Sequence, residues 1–311
     1  MRKRLLVLLL ALIAVAGLLP GGALAQSYLL RTVDGVTYEY NQQITTILYA
    51  GVDSEGPMTT TDRYTIAPRA DTINLVILDG YHGTLRVLAI SRDTLTAIDR
   101  YTMDGTWRDT YVSHLGYAYT YGDGGRVSCE NLVSAVSRLL GGVPIHEYVV
   151  TNKSGVAAGN AMVGGVQVTV PNDDVAHLYP ELTAGARVTL TQENVADYVL
   201  YRDVAIPFTN RGRMARQETF VKGFIARVKA QVEADPEAFW RGMEENAGAM
   251  QTSITRSQYL DLAGKLRGVS FEEERYDDLG GFDQDGGEYD EVVLEEAELL
   301  PLLLELFYLE R

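Results

Sequence analysis

The sequence predicts a single α/β domain whose sheet carries helices on both faces. Two patterns and one bound lead there. Continuous apolar runs such as Leu75-Val76-Ile77-Leu78 suit strands covered on both sides. Strand patterns interleave with helical stripes early, and the second half turns mostly helical. A chain of 311 residues, 46 % hydrophobic and 22 % charged, has room for one sizeable core. The same composition excludes a disordered chain, a collagen and a multi-span membrane protein.

Taken in order, Arg2, Lys3 and Arg4 precede an apolar run from Leu5 to Leu19, followed by Pro20-Gly21-Gly22 and Ala23-Leu24-Ala25. A basic start, an apolar stretch and an A-x-A-like site predict a signal peptide or amino-terminal membrane anchor over residues 1–25, with the rest exported. Strands are expected at Thr45–Gly51, Ile73–Asp79 and Thr84–Ile90, the last two joined by a Gly80-Tyr81-His82-Gly83 turn. A helical stripe at Leu132, Val133, Val136, Leu139 and Leu140 ends at Gly141-Gly142. A strand over Glu147–Thr151, an Ala-rich helix over Gly155–Met162 and a strand over Val166–Val170 follow. Helices are then expected from Thr191, from Asn210 to Val232, from Pro236 to Met250 and from Ser257 to Leu266. Residues 272–288 read as an acidic loop with one strand, and Asp290–Leu309 as one amphipathic helix that docks on the domain. The expected organisation is residues 40–232 as the α/β unit, with 233–311 packing on it.

Net charge is −15, and residues 271–311 carry 15 acids against 2 bases, so the acidity belongs mostly to the tail. A surface of that sign repels nucleic acid, and the acidic tail reads as solvated loop. The single Cys129 excludes an intrachain disulfide and reads as a packing residue at the start of an apolar helix. His82, His114, His146 and His177 lack the spacing of a zinc site. The alternation of Tyr117, Tyr119 and Tyr121 suggests a strand face or a sugar-stacking platform, with packing the favoured role.

Charged residues gather at strand ends, where open sheets place their ligands. Asp53 follows the first strand and Arg69-Ala70-Asp71-Thr72 precedes the second. Ser91-Arg92-Asp93-Thr94 follows the third, and Arg202 and Asn210-Arg211-Gly212-Arg213 come later. Arg213, Arg216 and Gln217 share one helix face, with Asn210 as the expected N-cap. Guanidinium forks bind phosphate oxygens bidentately and stay charged. Converging carboxylates can hold one Mg²⁺ that also binds phosphate. The pattern therefore points to a phosphate site with a metal, suited to phosphoryl transfer.

Gly51-x-Asp53, R-x-D-T at Arg69, S-R-D-T at Ser91, Y-x-x-Y-R ending at Arg202 and R-G-R-x-x-R-Q from Arg211 occur in the order and spacing of a known family. With Val112-Ser113-His114, Ala118-Tyr119 and Gly164-Gly165-Val166, the chain from Thr45 to Lys229 resembles the LytR-CpsA-Psr family. The resemblance implies an α-β-α three-layer sandwich with a central mixed sheet, a hydrophobic pocket and Mg²⁺. It further implies an extracytoplasmic transferase that moves a glycopolymer, such as a teichoic acid or capsule, from a polyprenyl-pyrophosphate carrier to peptidoglycan. Asp53 and Asp71 are then the metal-linked pair, while Arg69, Arg92, Arg202, Arg213, Arg216 and Gln217 bind the pyrophosphate. Asp71 or Asp93 would act as base, with Arg92 beside them. Two positions depart from the family pattern: Leu200 stands where an arginine is usual, and Asn210 where an aspartate is. A polyprenyl-pyrophosphate-binding module without catalysis, or a pyrophosphatase, is the competing expectation.

Overall fold

The computed structural model describes residues 28–311, apart from 66, 204, 207, 208 and 287–289. The leader or anchor expected at residues 1–25 lies outside the described residues. Among those described, no helix is long and apolar enough to cross a membrane. The chain opens with a hairpin, β1 (Leu30–Val33) and β2 (Val36–Tyr40). Its turn is Asp34-Gly35, with φ of 50° and 82°, the left-handed pair that a two-residue hairpin demands. Then come β3 (Ile44–Val52), β4 (Ala70–Asp79) and β5 (Thr84–Ala89), close to the three strands expected. A second hairpin, β6 (Leu95–Tyr101) and β7 (Trp107–His114), leads into a single helical turn, α1 (Tyr117–Thr120). Helix α2 (Arg126–Leu139), β8 (Glu147–Thr151) and α3 (Lys153–Met162) follow. A small ribbon of β9 (Gln167–Thr169) and β10 (Arg187–Thr189) precedes α4 (Val195–Leu200) and the long α5 (Asn210–Ala234).

The remaining chain joins the same body. Helix α6 (Pro236–Glu245) leads to β11 (Met250–Thr252), and α7 (Arg256–Arg267) to β12 (Ser270–Asp278). These two strands are the edges of the central sheet, whose order is β11-β8-β3-β4-β5-β12. β8 pairs parallel with β3 and β12 parallel with β5, while the other neighbours are antiparallel, so the sheet is mixed. The chain ends in the hairpin β13 (Phe282–Asp285) and β14 (Asp290–Val293), then α8 (Glu296–Phe307) and β15 (Tyr308–Glu310), which pairs with β2.

Alternation along β4 sorts the two faces. Ile73, Leu75 and Ile77 join Leu48 and Ala50 against Leu132 and Val136 of α2 and Leu306 and Phe307 of α8. Val76 and Leu78 join Leu85 and Val87 against α3, α4 and α5, where Val156, Tyr198, Val199, Phe220 and Val221 pack. Helices α6 and α7 extend this second layer beside Ile47 and Val149. Each fully buried Leu or Ile stabilises the sandwich by about 1.5–3 kcal/mol relative to its exposed state.

Several local expectations are corrected. The segment Asp290–Leu309 is not one helix, because Val292-Val293 are β-branched and pair across to β13. Residues 272–288 hold parts of two strands. The helix expected to reach Met250 stops at Glu245, and Met250 starts an edge strand instead. Tyr117, Tyr119 and Tyr121 do not form a strand face; Tyr117 and Tyr119 lie in the one-turn α1, and Tyr119 is wholly buried.

Candidate active site

The carboxyl ends of β3, β5 and β8 share one edge of the sheet with the start of β4. Pairing there slips by one residue. Gly51 stands opposite Thr72 but Val52 opposite Ala70, so Asp71 is the extra residue of a β-bulge. A bulge re-aims side chains. Here it lets two consecutive residues address α5: Asp71 Oδ2 lies 3.6 Å from Arg213 Nη1, and Thr72 Oγ1 accepts from Gln217 Nε2 at 2.7 Å. Gly116 ties this bulge to the next strand's exit. Ala70 N donates to Gly116 O at 3.1 Å, and Gly116 N donates to Arg92 O at 2.9 Å. A Cβ on residue 116 would stand 2.7 Å from Ala70 O, so the close approach requires glycine.

Three arginines and two aspartates meet at this edge. Arg92 Nη1 donates to Asp71 Oδ1, and Arg92 Nε lies 3.3 Å from Asp93 Oδ1. Arg202 Nη1 is 3.7 Å from Asp93 Oδ2. Asn210 bridges the group: its Nδ2 donates to Asp93 Oδ2 at 2.9 Å and to Ser91 Oγ at 3.1 Å, while its Oδ1 accepts from Arg213 Nη2 at 2.6 Å. Asn210 is thus the first residue of α5 rather than its cap, and Thr209 precedes it without a side-chain capping bond. Its side chain does what an aspartate could not, because a carboxylate there would face Asp93 without a proton to share.

Three guanidinium groups against two carboxylates leave one buried positive charge uncompensated. Arg213 is 2 % exposed. Burial, with Arg92 adding and Asp71 and Asp93 opposing, pushes its pKa down to about 9. Arg213 Nε and Arg202 Nε are buried without a hydrogen-bond partner among the described residues, and Arg92 Nε and Arg202 Nη1 have only the looser ion-pair approaches to Asp93. Buried donors in that state cost free energy, and an anion removes the cost. His114 Nδ1 sits 3.9 Å from Asp93 Oδ1. Burial lowers its pKa despite Asp93, keeping the ring neutral at physiological pH.

The other expected site residues are placed at the margin or elsewhere. Arg69 flanks the cluster, its guanidinium over the Tyr117 ring at 5.5 Å and Nη1 donating to Tyr117 Oη at 3.4 Å. Arg216, wholly buried, turns away. Its Nε donates to Tyr198 O at 2.8 Å, Nη2 donates to Tyr201 O, and Nη1 donates to Asp174 Oδ2 at 2.5 Å and Asn172 Oδ1 at 2.9 Å. Gln217 Nε2 also donates to Val199 O at 2.9 Å. Arg216 and Gln217 therefore satisfy carbonyls at the end of α4 that lack helical partners, and hold the exit from which Arg202 departs. Arg211 is drawn to the tail, 3.1 Å from Asp283 and 3.4 Å from Asp278. Leu200 packs with the apolar layer beneath the sheet. Burial pushes the Cys129 thiol up to about 12, leaving it protonated and unreactive.

Beside the cluster lies a cavity of about 260 Å³ between the sheet and α5, α6 and α7. Ile47, Val76, Phe220, Phe224, Val228 and Leu262 are among its almost wholly apolar lining. Asn74, two residues beyond Thr72 on β4, and Phe220, three beyond Gln217 on α5, also line it. The cavity therefore begins next to the Thr72–Gln217 hydrogen bond. A charged, donor-rich cluster close to an apolar cavity suits an amphiphile with an anionic head.

Asp53 stands half exposed after β3, its N–H donating to Arg69 O at 3.2 Å and its Oδ1 3.3 Å from Lys153 Nζ. Asp71 has both carboxylate oxygens facing guanidinium groups. No group of three or more His, Cys, Asp or Glu side chains converges among the described residues. Asp53 and Asp71 offer oxygen atoms, the donor type Mg²⁺ takes, but each already faces a cation of the chain, so substrate phosphate and water would have to supply most of such a site.

The LytR_cpsA_psr family model matches residues 26–281. Comparison with curated proteins finds no match. Among solved structures, gbs0355 from Streptococcus agalactiae is similar with a TM-score of 0.65 at 19 % identity, over 84 % of this chain and 85 % of that one. TagV of B. subtilis gives 0.62 at 20 % identity, over 85 % and 96 %. A structure described as TagT bound to LI-WTA gives 0.63 at 18 % identity, over 85 % and 90 %. At these identities the likeness is one of fold.

Proposed function

The chain belongs to the LytR-CpsA-Psr family, and from that premise we propose that it is an extracytoplasmic transferase. It moves a glycopolymer from a polyprenyl-pyrophosphate carrier to a hydroxyl of peptidoglycan. One observation carries the reading: three arginines with buried, unsatisfied donors and a net positive charge gather at the starts of strand β4 and helix α5, the same two elements that, a few residues further on, line an apolar cavity. A lipid-linked diphosphate has the matching shape, anionic head and apolar tail. A fold relative recorded with LI-WTA bound supports a glycopolymer ligand.

In this reading Arg92, Arg202 and Arg213 hold the diphosphate, with Arg69 at the rim. Asp71 fixes Arg92 and Arg213 in place. The acceptor hydroxyl oxygen bonds to the phosphorus nearest the glycan, the bridging P–O bond breaks, and lipid phosphate leaves with the electron pair. Asp93, oriented by Asn210 and Arg92, takes the hydroxyl proton, for which it must come within hydrogen-bond reach of that oxygen. The arginines stabilise the charge that develops on the phosphoryl oxygens. Asp53 and Asp71 would hold Mg²⁺ with substrate oxygens, supplying further positive charge to the diphosphate.

The test is incubation of the protein with a lipid-pyrophosphate glycan, peptidoglycan oligomers and Mg²⁺. Phosphodiester-linked product with released lipid phosphate is expected, and Asp93→Asn should abolish it. Intact lipid retained on the protein would favour a carrier, and glycan phosphate formed with water a pyrophosphatase.

A further inference from the structure

The hairpin β13–β14 lies beyond the stretch that the family match covers, yet it touches the loop Ser91–Thr94 that carries Arg92 and Asp93. Val292, 2 % exposed, donates its N–H to Asp93 O at 2.9 Å and forms a parallel bridge with Thr94. Arg92 is held from elsewhere, since its carbonyl accepts from Gly116 N at 2.9 Å. Two consecutive residues of the loop are thus pinned by two different elements. The hairpin itself is anchored at two further points. Leu279 N, just before it, donates to Ala89 O at the end of β5 at 2.9 Å. Arg211, beside Asn210 in the first turn of α5, lies 3.1 Å from Asp283 and 3.4 Å from Asp278, and its Nη2 donates to Gly281 O at 3.3 Å. Across the hairpin, Gln284 Nε2 donates to Glu291 Oε2 at 2.6 Å. The hairpin therefore links the exit of β5, which carries Asp93, to the start of α5, which carries Asn210 and Arg213.

We propose that β13–β14 is a positioning clamp for Asp93, acting through the Val292 N–H and the Arg211 anchor. The proposal rests on the transferase reading above, in which Asp93 takes the proton of the acceptor hydroxyl. Asn210 Nδ2 orients the Asp93 carboxylate from α5 at 2.9 Å. That bond fixes the carboxylate only while the backbone of Asp93 and the start of α5 keep their separation, and the clamp spans the two. A base must stand within hydrogen-bond reach of its proton, and a misplacement of about 1 Å costs on the order of a hundredfold in rate. Diphosphate binding depends less on the clamp, because Arg92 is pinned through Gly116 and Arg213 lies on α5 itself. Loosening the clamp therefore slows the chemical step and leaves donor affinity in place.

The test sets kcat against donor affinity in the intact protein. Transfer from a lipid-pyrophosphate glycan to peptidoglycan oligomers is timed at saturating donor, and farnesyl diphosphate is titrated calorimetrically. Val292→Pro, which removes the N–H, should lower kcat about tenfold, the scale of one hydrogen bond, with farnesyl diphosphate affinity within about threefold of wild type. Val292→Ala keeps the N–H, so its kcat should exceed that of Val292→Pro. Arg211→Gln releases the other anchor at a part-exposed side chain, without touching the core, and should lower kcat about threefold at the same affinity. The proposal is overturned if both Val292→Pro and Arg211→Gln keep the wild-type kcat, or if affinity falls in step with kcat, the mark of a hairpin that merely holds the fold. Either result beside an active wild type sinks this proposal alone. Wild type that binds farnesyl diphosphate but forms no transfer product sinks the transferase reading and this proposal with it.

Discussion

The two ends of β4 each bury an aspartate, and they are built to opposite rules. Asp79, 8 % exposed, sits at the hairpin into β5. Its Oδ1 accepts from Asn41 Nδ2 at 2.8 Å, Tyr81 N at 2.9 Å and His82 N at 3.1 Å, and Oδ2 meets His82 Nδ1 at 2.5 Å. Burial alone would raise its pKa, but these bonds outweigh it and hold the carboxyl below its ordinary value. At the other end Asp71, 9 % exposed, faces arginines that outnumber the carboxylates and keep unspent donors. One end is satisfied and the other is poised. A satisfied buried network holds a turn, whereas a buried excess of charge is retained for a ligand.

Breaking the poised end has the largest effect. Arg213→Met should weaken farnesyl diphosphate binding by about a hundredfold, the equivalent of two charge-assisted contacts, while urea stability stays level or rises by about 1 kcal/mol. A simultaneous collapse of fold and affinity would show that Arg213 is structural. Gly116→Ala, which drives a Cβ against Ala70 O, should cost about 2–3 kcal/mol of stability and also weaken ligand binding, since it displaces both Asp71 and Arg92. Arg216→Met, by contrast, should lower stability without changing the salt dependence of ligand binding. Its guanidinium is spent on the end of α4.

Breaking the satisfied end gives the mirror result. Asp79→Ala should destabilise by about 2 kcal/mol and leave ligand affinity unchanged. Because the folded pKa of Asp79 lies below the unfolded value, its contribution is complete above that value and disappears as pH falls through the lowered one. The acid limb of the stability profile should therefore flatten in Asp79→Asn. The smallest effect is at Cys129, whose raised pKa predicts negligible reaction with a thiol reagent at mildly alkaline pH until the protein unfolds.

The turn at the satisfied end was legible because most of its determinants are local, although the bond from Asn41 comes from a distant part of the chain. Asp79 and the Gly80–Gly83 turn sit within five residues, and a side chain bonding its own turn is readable from residue type. The apolar strands β3, β4 and β5 were equally plain. The hairpins β1–β2 and β6–β7 escaped because their faces mix charge and small residues without clean alternation. Yet Asp34-Gly35 and Asp104-Gly105 each carried the turn signal that marks a hairpin. At the poised end, the motifs named the arginines but not their partition. Arg213 and Arg216 share one buried helix face, and only the arrival of α4's last carbonyls decides that Arg216 is consumed. The bulge at Asp71, the bridging role of Asn210 and the Lys153–Asp53 pair depend on strands distant in sequence. The Leu200 and Asn210 departures remove one positive and one negative group together, so they leave the charge excess of the cluster unchanged.

The central claim is that a diphosphate belongs among Arg92, Arg202 and Arg213 with its chain in the cavity under the sheet. A crystal structure of the protein with a long-chain prenyl diphosphate tests it most directly. The expected result is diphosphate oxygens bonded to those three guanidinium groups and the prenyl chain lying against Phe220 and Phe224. A headgroup bound away from the three arginines, or a chain lying outside the cavity, would contradict it.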